Sequence, residues 1–359
     1  MPENRRDSTM LNNSLYLEDL REAVTSIPDV TRLFGKRIVV TGATGMLCSP
    51  VVDLLLLMNR EMAAQITIVV AGRSKVGAEA RFGEFTPDGG LQYVEYDATS
   101  TAAIAVDGPI DYIIHGASNA NPSLYAEQPV DTMLANILGL TQMLELAKVS
   151  KAERLLYVSS SEIYGRNDST EPFSEGDYGY LDILDRRAGY PSSKRAGESL
   201  CVAYGIEHGV DSVIVRPGHI YGPTTKESDN RASAQFTRTA LAGNDVVLRS
   251  TGAQMRSYCY VLDCASAILA VLVHGAPSNS YNISNPNSIC SISDIANQIA
   301  QAAGVAVRFD LEPGDAPVQH NLMDNSSLNS GKLESLGWKP KFDLGKGVSR
   351  MVEILRTEG

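Results

Sequence analysis

Six short aliphatic runs alternate with helical stretches between residues 36 and 218, and this rhythm constrains the fold more than any other feature. The runs are "RIVVTG" (37–42), "ITIVVAG" (66–72), "QYVEYD" (92–97), "DYIIHGA" (111–117), "RLLYVSS" (154–160) and "DSVIVRPG" (211–218). Short runs rich in β-branched residues, separated by helices, are typical of parallel strands buried on both faces. Right-handed crossovers then predict a doubly wound α/β sheet of the Rossmann type.

The rhythm changes after residue 218, which predicts a division of the chain into three parts. The parts are an N-terminal extension (1–35), a Rossmann domain (36–218 plus 256–285) and a smaller α+β lobe (219–255 plus 286–359). In the extension, 14–27 has apolar residues at helical spacing and predicts one helix. The stretch 256–263 is expected to return to the edge of the main sheet. The smaller lobe is expected over the C-terminal side of that sheet.

Composition and charge exclude several classes of protein. The formal net charge is −11, whereas non-specific nucleic-acid binding needs Lys and Arg to neutralise phosphates. The cysteines are five in number and lack C-x-x-C spacing, which argues against a metal site or a disulfide framework and for a reducing compartment. No signal peptide is evident, and the longest aliphatic run, 51–58, is too short to span a bilayer. We expect a cytoplasmic protein that binds neither nucleic acid nor membrane.

The turn "TGATGMLC" (41–48) directly follows the first run and opens a helix. Gly42 permits a tight turn, and Gly45 allows the backbone to approach a pyrophosphate at the positive end of the helix. Cys48 stands where the usual pattern has a third glycine. We expect this turn to hold a nicotinamide dinucleotide through Gly42, Thr44, Gly45, Met46 and Leu47.

The end of the second run bears on the choice between NAD and NADP. NAD sites usually offer Asp or Glu to the ribose hydroxyls there, but this chain has Arg73 and Ser74. Their side chains suit a 2′-phosphate and so favour NADP. Asp97, after the third run, is expected to meet the adenine amine. The sequence leaves the two cofactors open.

Tyr190 and Lys194 are spaced so that both side chains lie on one face of a helix. A nearby ammonium stabilises phenolate, so Lys194 is expected to lower the pKa of Tyr190 towards working pH. Such a tyrosine accepts a proton from a hydroxyl while hydride leaves the same carbon. Both residues are also expected to contact the cofactor.

The stretch "VSSSEIYG" (158–165) leaves the carboxyl end of the fifth run. Loops at this end of a parallel sheet face the ligand crevice, so their polar side chains point to where chemistry occurs. Ser160, Ser161 and Glu162 are therefore candidate catalytic residues.

In this order, the motifs resemble the extended short-chain dehydrogenase/reductase superfamily, which contains nucleotide-sugar epimerases, dehydratases and decarboxylases. The resemblance runs from about Lys36 to Arg350 and includes "HGAS" (115–118), "ANILG" (135–139), "RPGHIYGP" (216–223) and "RSYCYVLDC" (256–264). It implies a nucleotide-sugar substrate bound in the smaller lobe and a tightly bound NAD or NADP. It also implies a homodimer through two helices per subunit, for which 129–149 and 190–208 are available.

The resemblance further assigns roles to single residues. Ser160 would hydrogen-bond the sugar 4-oxygen beside Tyr190. The pair Ser161 and Glu162 is similar to the pattern of UDP-glucuronate decarboxylases and GDP-mannose 4,6-dehydratases. Ala117 is expected at the cofactor, and the expected substrate-binding residues are Ser118, Ser160, His219, Arg231 and Arg256. His219 departs from the asparagine that contacts the nucleotide phosphates in many relatives.

The implied reaction begins with oxidation of C4, which acidifies C5 and allows loss of CO2 or of water. Decarboxylation needs recognition of the carboxylate and a later proton, which suits Arg256 and Glu162. Dehydration needs Glu162 as base and a separate acid, a role for which Ser161 is poor at neutral pH. The sequence therefore favours a UDP-glucuronate decarboxylase. The alternatives are a dTDP-glucose- or GDP-mannose-type 4,6-dehydratase, a 4-epimerase, a reductase that releases its cofactor and a non-catalytic dinucleotide-binding regulator.

Overall fold

Seven parallel strands form the main sheet of the computed structural model, which describes residues 10–86, 90–120, 122–167, 169–311 and 324–358. The strands in chain order are β1 Arg37–Thr41, β2 Thr67–Gly72, β3 Leu91–Glu95, β4 Tyr112–His115, β5 Arg154–Val158, β6 Ser212–Pro217, β7 His219–Tyr221, β8 Val246–Leu248, β9 Met255–Tyr260, β10 Asn279–Ile283, β11 Ile289–Ser291, β12 Val307–Phe309 and β13 Asn325–Ser326. The main sheet has the order β10-β6-β5-β4-β1-β2-β3, and every neighbouring pair is parallel.

The helices fill the connections between these strands. In chain order they are α1 Ser14–Val24, α2 Cys48–Met62, α3 Lys75–Phe82, α4 Pro122–Glu127, α5 Pro129–Ser150, α6 Gly189–His208, α7 Ala232–Leu241, α8 Val261–His274, α9 Ile292–Ala303, α10 Gly331–Glu334 and α11 Leu344–Glu358. Short 3-10 turns lie at Met10–Asn12, Val30–Leu33, Ser161–Tyr164 and Pro286–Ser288. None of the described helices has the length and hydropathy needed to cross a membrane.

Strand order reverses at β1, whose neighbours are β2 and β4. In a doubly wound sheet this reversal opens a crevice at the carboxyl ends of the two central strands, and ligands bind there. The sequence prediction of a doubly wound parallel sheet is therefore confirmed.

Alternate residues of the central strands enter two separate cores, because successive side chains of a strand point to opposite faces. Ile38 and Val40 pack with α2 and α8, whereas Val39 packs with α5 and α6. The sheet is thus covered on both faces, as the continuous aliphatic runs predict.

The prediction that 256–263 returns to the edge of the main sheet is wrong. β10 occupies the position beside β6 instead. β9 lies in a second sheet with the order β11-β9-β13, where it also pairs with β7. Its partner β11 is only three residues long, Ile289–Ser291, which is too short for a hydrophobic pattern to indicate the pairing.

The predicted N-terminal helix is confirmed as α1, which packs against α2, α8 and α11. Its buried Tyr16 donates a hydrogen bond to Asp53 of α2, at 2.8 Å. Asp19 accepts one from Tyr260 at the end of β9, at 2.9 Å. The segment therefore joins the main sheet layer to the second sheet within one chain.

Candidate active site

The turn after β1 leaves no room for a side chain at either of its two glycines. Gly42 has a φ of +65°, and a Cβ there would lie 2.6 Å from the backbone of Gly116. A Cβ on Gly45 would lie 2.9 Å from the carbonyl oxygen of Gly42. Backbone without side chains thus lies at the N-terminus of α2, which fits the approach of a pyrophosphate.

Cys48 fills the space that a third glycine would leave open. Its Sγ would lie 2.3 Å from a Cβ placed on Gly116, so Gly116 is the residue that makes room for the thiol. Burial raises the pKa of Cys48 to about 12, so the sulfur stays protonated and packs as a small apolar group. The sequence indicated the substitution at Cys48, whereas the compensating role of Gly116 became visible only in the fold.

Thr41 links the turns after β1 and β4 through hydrogen bonds. Its Oγ1 accepts hydrogen bonds from the backbone N–H of Gly116 and Ala117, both at 3.2 Å, and lies 2.8 Å from Nδ1 of His115. Burial, assisted by the charge of Lys194, lowers the pKa of His115 to about 3. His115 is therefore neutral and fixes the floor of the crevice.

A cleft of about 1100 Å³ opens along the carboxyl ends of β1, β2 and β4. It is lined by eight of the residues expected at the cofactor or substrate: Gly42, Thr44, Gly45, Arg73, Ser74, Asp97, Ala117 and Ser118. Met46 and Leu47, which were also expected at the cofactor, follow Gly45 in the same turn, and their half-buried side chains pack against the main core. The Ser118 hydroxyl is buried and has no hydrogen-bond partner among the described residues.

At the end of this cleft near β2 and β3, two of the three residues predicted to hold the adenosine already have local partners. Ser74 caps α3 by accepting the N–H of Gly77, at 3.0 Å. Asp97 accepts the N–H and the hydroxyl of Thr99, which lower its pKa, and the charge of Arg73 acts in the same direction. Arg73 itself is exposed at the mouth of the cleft.

The turn after β5 places Ser160 against Tyr190. Ser160 has extended backbone and caps the 3-10 turn Ser161–Tyr164 by accepting the N–H of Glu162, at 3.2 Å. Its hydroxyl also lies near enough to the Tyr190 phenol to favour a lower pKa for that phenol. Ser161 opens the same turn, so the three predicted residues of this stretch lie together.

Tyr190 and Lys194 lie one helical turn apart near the start of α6, and both are buried. The Lys194 Nζ is 5.8 Å from the Tyr190 ring centroid and donates to the carbonyl oxygen of Val158 at 2.8 Å. Burial raises the pKa of Tyr190, and the charge of Glu162 adds to this effect. Burial also lowers the pKa of Lys194 to about 7.

The expectation that Lys194 lowers the pKa of Tyr190 is therefore not met in this arrangement. The ammonium donates to the Val158 carbonyl, and the loss of hydration on burial raises the pKa of the Tyr190 phenol.

Glu162 is half-buried, and its carboxyl lies beside two residues that the sequence analysis missed, Tyr125 and Arg187. The Tyr125 hydroxyl donates to Oε1 of Glu162 at 3.1 Å, and Arg187 donates to the Tyr125 oxygen at 2.9 Å. Burial raises the pKa of Glu162, and the charge of Arg187 opposes the rise. The nearness of Arg187 to Tyr190 in the sequence was the one available signal, whereas nothing local marked Tyr125.

The pairing of β7 with β9 brings His219 close to Arg256, and Arg231 lies nearby at the start of α7. Burial lowers the pKa of His219 to about 3, and the charges of Arg256 and Arg231 act in the same direction. Arg231 is paired with Asp229, at 3.0 Å from Nε to Oδ1, and reaches Sδ of Met46 at 2.8 Å. A neutral imidazole near two guanidinium groups suits an anionic ligand such as a diphosphate.

Residues 38–284 match the model of a family described as the NAD dependent epimerase/dehydratase family. The chain belongs to this family. The family prediction made from the motifs is confirmed, and the family is enzymatic.

Curated relatives include UDP-glucuronic acid decarboxylase 1 of Xenopus tropicalis, which is 29% identical over 90% of this chain and 73% of that protein. UDP-glucuronic acid decarboxylase 6 of Arabidopsis thaliana is 29% identical over 89% of both chains. Among solved structures, the UDP-glucose 4-epimerase of Thermus thermophilus in complex with NAD is 26% identical, with a TM-score of 0.73 over 89% of this chain and 99% of that one. A dTDP-glucose 4,6-dehydratase of Streptomyces venezuelae, 22% identical with a TM-score of 0.74 over 89% of this chain and 97% of that one, shares the fold.

Proposed function

We propose that the protein is a UDP-glucuronate decarboxylase that acts by transient oxidation of C4 with a retained nicotinamide cofactor. The observation that carries the proposal is that Tyr125 links the Glu162 carboxyl to Tyr190: its hydroxyl donates to Glu162 at 3.1 Å and its ring stacks on that of Tyr190 at 5.0 Å. Curated relatives that cover most of the chain are named for this activity, which supports the same substrate.

The cofactor we propose is NAD, with NADP as the alternative that Arg73 favours. The turn at Gly42 and Gly45 has the room and the helix N-terminus that a dinucleotide pyrophosphate needs. When bound, the cofactor accepts the C4 hydride and later returns it, and its cationic ring favours the phenolate form of Tyr190. The NAD complex of the Thermus thermophilus relative supports this choice.

In the first step, Tyr190 accepts the proton of the sugar 4-hydroxyl. The Ser160 hydroxyl lies near the phenol and favours a lower pKa for it, so we place Ser160 at the same 4-oxygen. Lys194 supplies positive charge one helical turn away from the phenol. When the C4 carbonyl is reduced again, Tyr190 gives the proton back to the 4-oxygen.

In the second step, the C5–C6 bond breaks and its electron pair delocalises into the C4 carbonyl, while the carboxyl group leaves as CO2. A proton must then reach C5. Burial raises the pKa of Glu162, so this carboxyl retains a proton to higher pH than an exposed glutamate and suits the donor role. We assign recognition of the sugar carboxylate to Arg256, and contacts to the diphosphate and sugar to His219, Arg231 and Ser118.

The other family reactions make different demands on the same carboxyl. Dehydration across C5–C6 needs Glu162 ionised as a base, which the raised pKa disfavours at neutral pH. Epimerisation at C4 needs no group at C5. A non-catalytic regulator would need neither the Glu162 carboxyl nor a serine hydroxyl near the Tyr190 phenol.

A panel of nucleotide sugars, analysed by product mass, tests the proposal. With UDP-glucuronate labelled with ¹³C at C6, we expect labelled CO2 and a UDP-pentose in equal amounts. Loss of the mass of water from dTDP-glucose or GDP-mannose would establish a dehydratase instead, and an unchanged mass with an altered sugar would establish an epimerase. Nicotinamide that stays with the protein through gel filtration supports internal redox over a reductase that releases its cofactor.

We further propose a homodimer through α5 and α6. These helices pack against each other and expose large apolar side chains at helical spacing: Val130, Met133 and Leu134 on α5, and Val202 and Ile206 on α6. The cytoplasm remains the proposed compartment, supported by five cysteines that are all free thiols. The proposed sugar-binding lobe is 219–255 plus 286–359, with β9 added to it.

A further inference from the structure

A buried ion pair lies directly beneath the candidate catalytic turn. Arg216, near the carboxyl end of β6, donates to Glu198 of α6 through Nε at 2.9 Å and Nη2 at 2.6 Å. The Arg216 side chain is 1% exposed and that of Glu198 is 12% exposed. Neither the sequence motifs nor the proposed reaction gives this pair a role.

The pair holds both ends of the stretch that carries Ser160 and Glu162. At the start, the Ser159 hydroxyl donates to Oε1 of Glu198, at 2.6 Å. At the end, Nη1 of Arg216 donates to the Tyr164 oxygen at 3.0 Å. The turn between them is therefore fixed to α6 and β6 at two points.

The same carboxylate acts on Lys194. Glu198 follows Lys194 by four residues on α6, so the two side chains share a face of the helix. Its charge opposes the lowering of the Lys194 pKa by burial. Lys194 also donates to the carbonyl of Val158, the residue before Ser159.

The other titratable groups near Lys194 are held neutral. Burial raises the pKa of both Cys48 and Cys201 to about 12 and lowers that of His115 to about 3. The rings of Tyr157 and Tyr190 flank the ammonium, and burial raises the pKa of both phenols. Among these described groups, Glu198 is the one that brings negative charge to Lys194 at neutral pH.

We propose that Glu198 and Arg216 are positioning residues for the reaction: they fix the turn from Ser160 to Glu162 and set the charge of the Tyr190–Lys194 pair. The inference rests on the proposed function, because Tyr190 and Lys194 are taken as the proton-transferring pair. Glu198 touches neither substrate nor cofactor and acts through Ser159 and Lys194.

Two substitutions separate the mechanical effect from the electrostatic one. Glu198→Gln removes the negative charge, which lowers the pKa of the neighbouring pair and shifts both limbs of the pH profile of kcat to lower pH. Ser159→Ala removes one attachment of the turn and leaves the charge in place, so it lowers kcat without that shift. Because Ser159→Ala leaves no unpaired buried charge, it also keeps the proposal testable if Glu198→Gln folds poorly.

The matched control is Asp211→Asn, which breaks a similar bidentate pair at the opposite edge of the sheet, where β5 and β6 begin. Arg154 donates to Asp211 through Nε at 3.0 Å and Nη2 at 2.9 Å. We expect Glu198→Gln to lower kcat about tenfold, with KM for UDP-glucuronate near the wild-type value, and to move the profile by about half a pH unit or more. Asp211→Asn should change neither quantity.

An NMR titration of labelled lysine side chains measures the effect of Glu198 on Lys194 without any turnover. The Lys194 signal is the one that is missing from the Lys194→Met variant. A lower titration midpoint in Glu198→Gln supports the inference even if UDP-glucuronate proves not to be the substrate. An unchanged midpoint together with an unshifted pH profile overturns it and leaves the proposed function standing. A kcat loss equal to that of Asp211→Asn also overturns it, since the pair then contributes only stability.

Discussion

The rings of Tyr125 and Tyr190 stack face to face, with centroids 5.0 Å apart and planes 11° apart. Tyr125 also donates to Glu162 at 3.1 Å, so one aromatic residue links the candidate base to the candidate acid. This contact joins residues from two distant segments of the chain. It explains how a carboxyl and a phenol come to share one buried site.

Replacing Tyr190 with Phe should abolish turnover while the cofactor remains bound. The phenyl ring keeps the stacking on Tyr125 and loses only the hydroxyl that exchanges the proton. We expect kcat to fall by about 10²–10⁴-fold. Product assays together with the nicotinamide content of the purified variant measure the two effects. Full activity of Tyr190→Phe would exclude the proposed mechanism, whereas Tyr180→Phe, on the surface, should behave as wild type.

Glu162→Gln should block the delivery of a proton to C5. The amide keeps the shape of the side chain but cannot supply that proton, so the formation of UDP-pentose should slow by about 10²–10⁴-fold. Oxidation of C4 does not need Glu162, and reduced nicotinamide should therefore accumulate and be visible by absorbance. The control is Glu153→Gln, at the opposite end of β5, where we expect no change. Normal pentose formation in Glu162→Gln would assign the proton to another group.

Gly42→Ala should lower cofactor affinity through a steric clash. The added Cβ would lie 2.6 Å from the backbone of Gly116, and the φ of +65° adds strain of about 1–3 kcal/mol. Gly35→Ala is the matched control, because Gly35 has a φ of +69° and its Cβ would meet no described atom within 4 Å. We expect calorimetry to show weaker NAD binding for Gly42→Ala alone, with a lower Tm for both variants. Equal NAD affinity in the two would place the pyrophosphate elsewhere.

Arg73→Ala tests the choice between the two cofactors. A guanidinium at the mouth of the cleft stabilises a 2′-phosphate but has no such partner on NAD. We expect the Kd for NADP to rise about tenfold or more, with the Kd for NAD unchanged. Lys75→Ala removes a neighbouring exposed charge and serves as the control for general electrostatics. If both cofactors bind less tightly to Arg73→Ala, the arginine does not discriminate between them.

Ile206→Asp should dissociate the proposed homodimer. Ile206 is 83% exposed on α6, and a carboxylate buried in an apolar interface is costly, so the dimer Kd should rise about a hundredfold or more. Val76→Asp, at a residue that is 76% exposed on α3, adds the same charge away from that face. Sedimentation velocity measures the dimer Kd of both variants. A wild-type protein that sediments as a monomer at micromolar concentration would contradict the proposal.

The sequence by itself determined the class of fold and the local motifs. Runs rich in β-branched residues such as 37–42 fold as buried parallel strands because no other arrangement satisfies both faces. The roles of Gly42 and Gly45 in the turn could be predicted from the sequence, because backbone restrictions act within one turn. The proximity of Tyr190 and Lys194 could be predicted from their spacing, because helix geometry alone places them on one face.

The tertiary structure decided which partners surround those groups. Tyr125 reaches Glu162, and Arg216 reaches Tyr164, across strand and helix connections that no local pattern encodes. The direction of the Lys194 ammonium and the burial of Tyr190 also follow from packing, and they set the direction of each pKa shift. Local spacing fixes which side chains share a face, but the loss of hydration and the charges that meet it depend on residues far away in the chain.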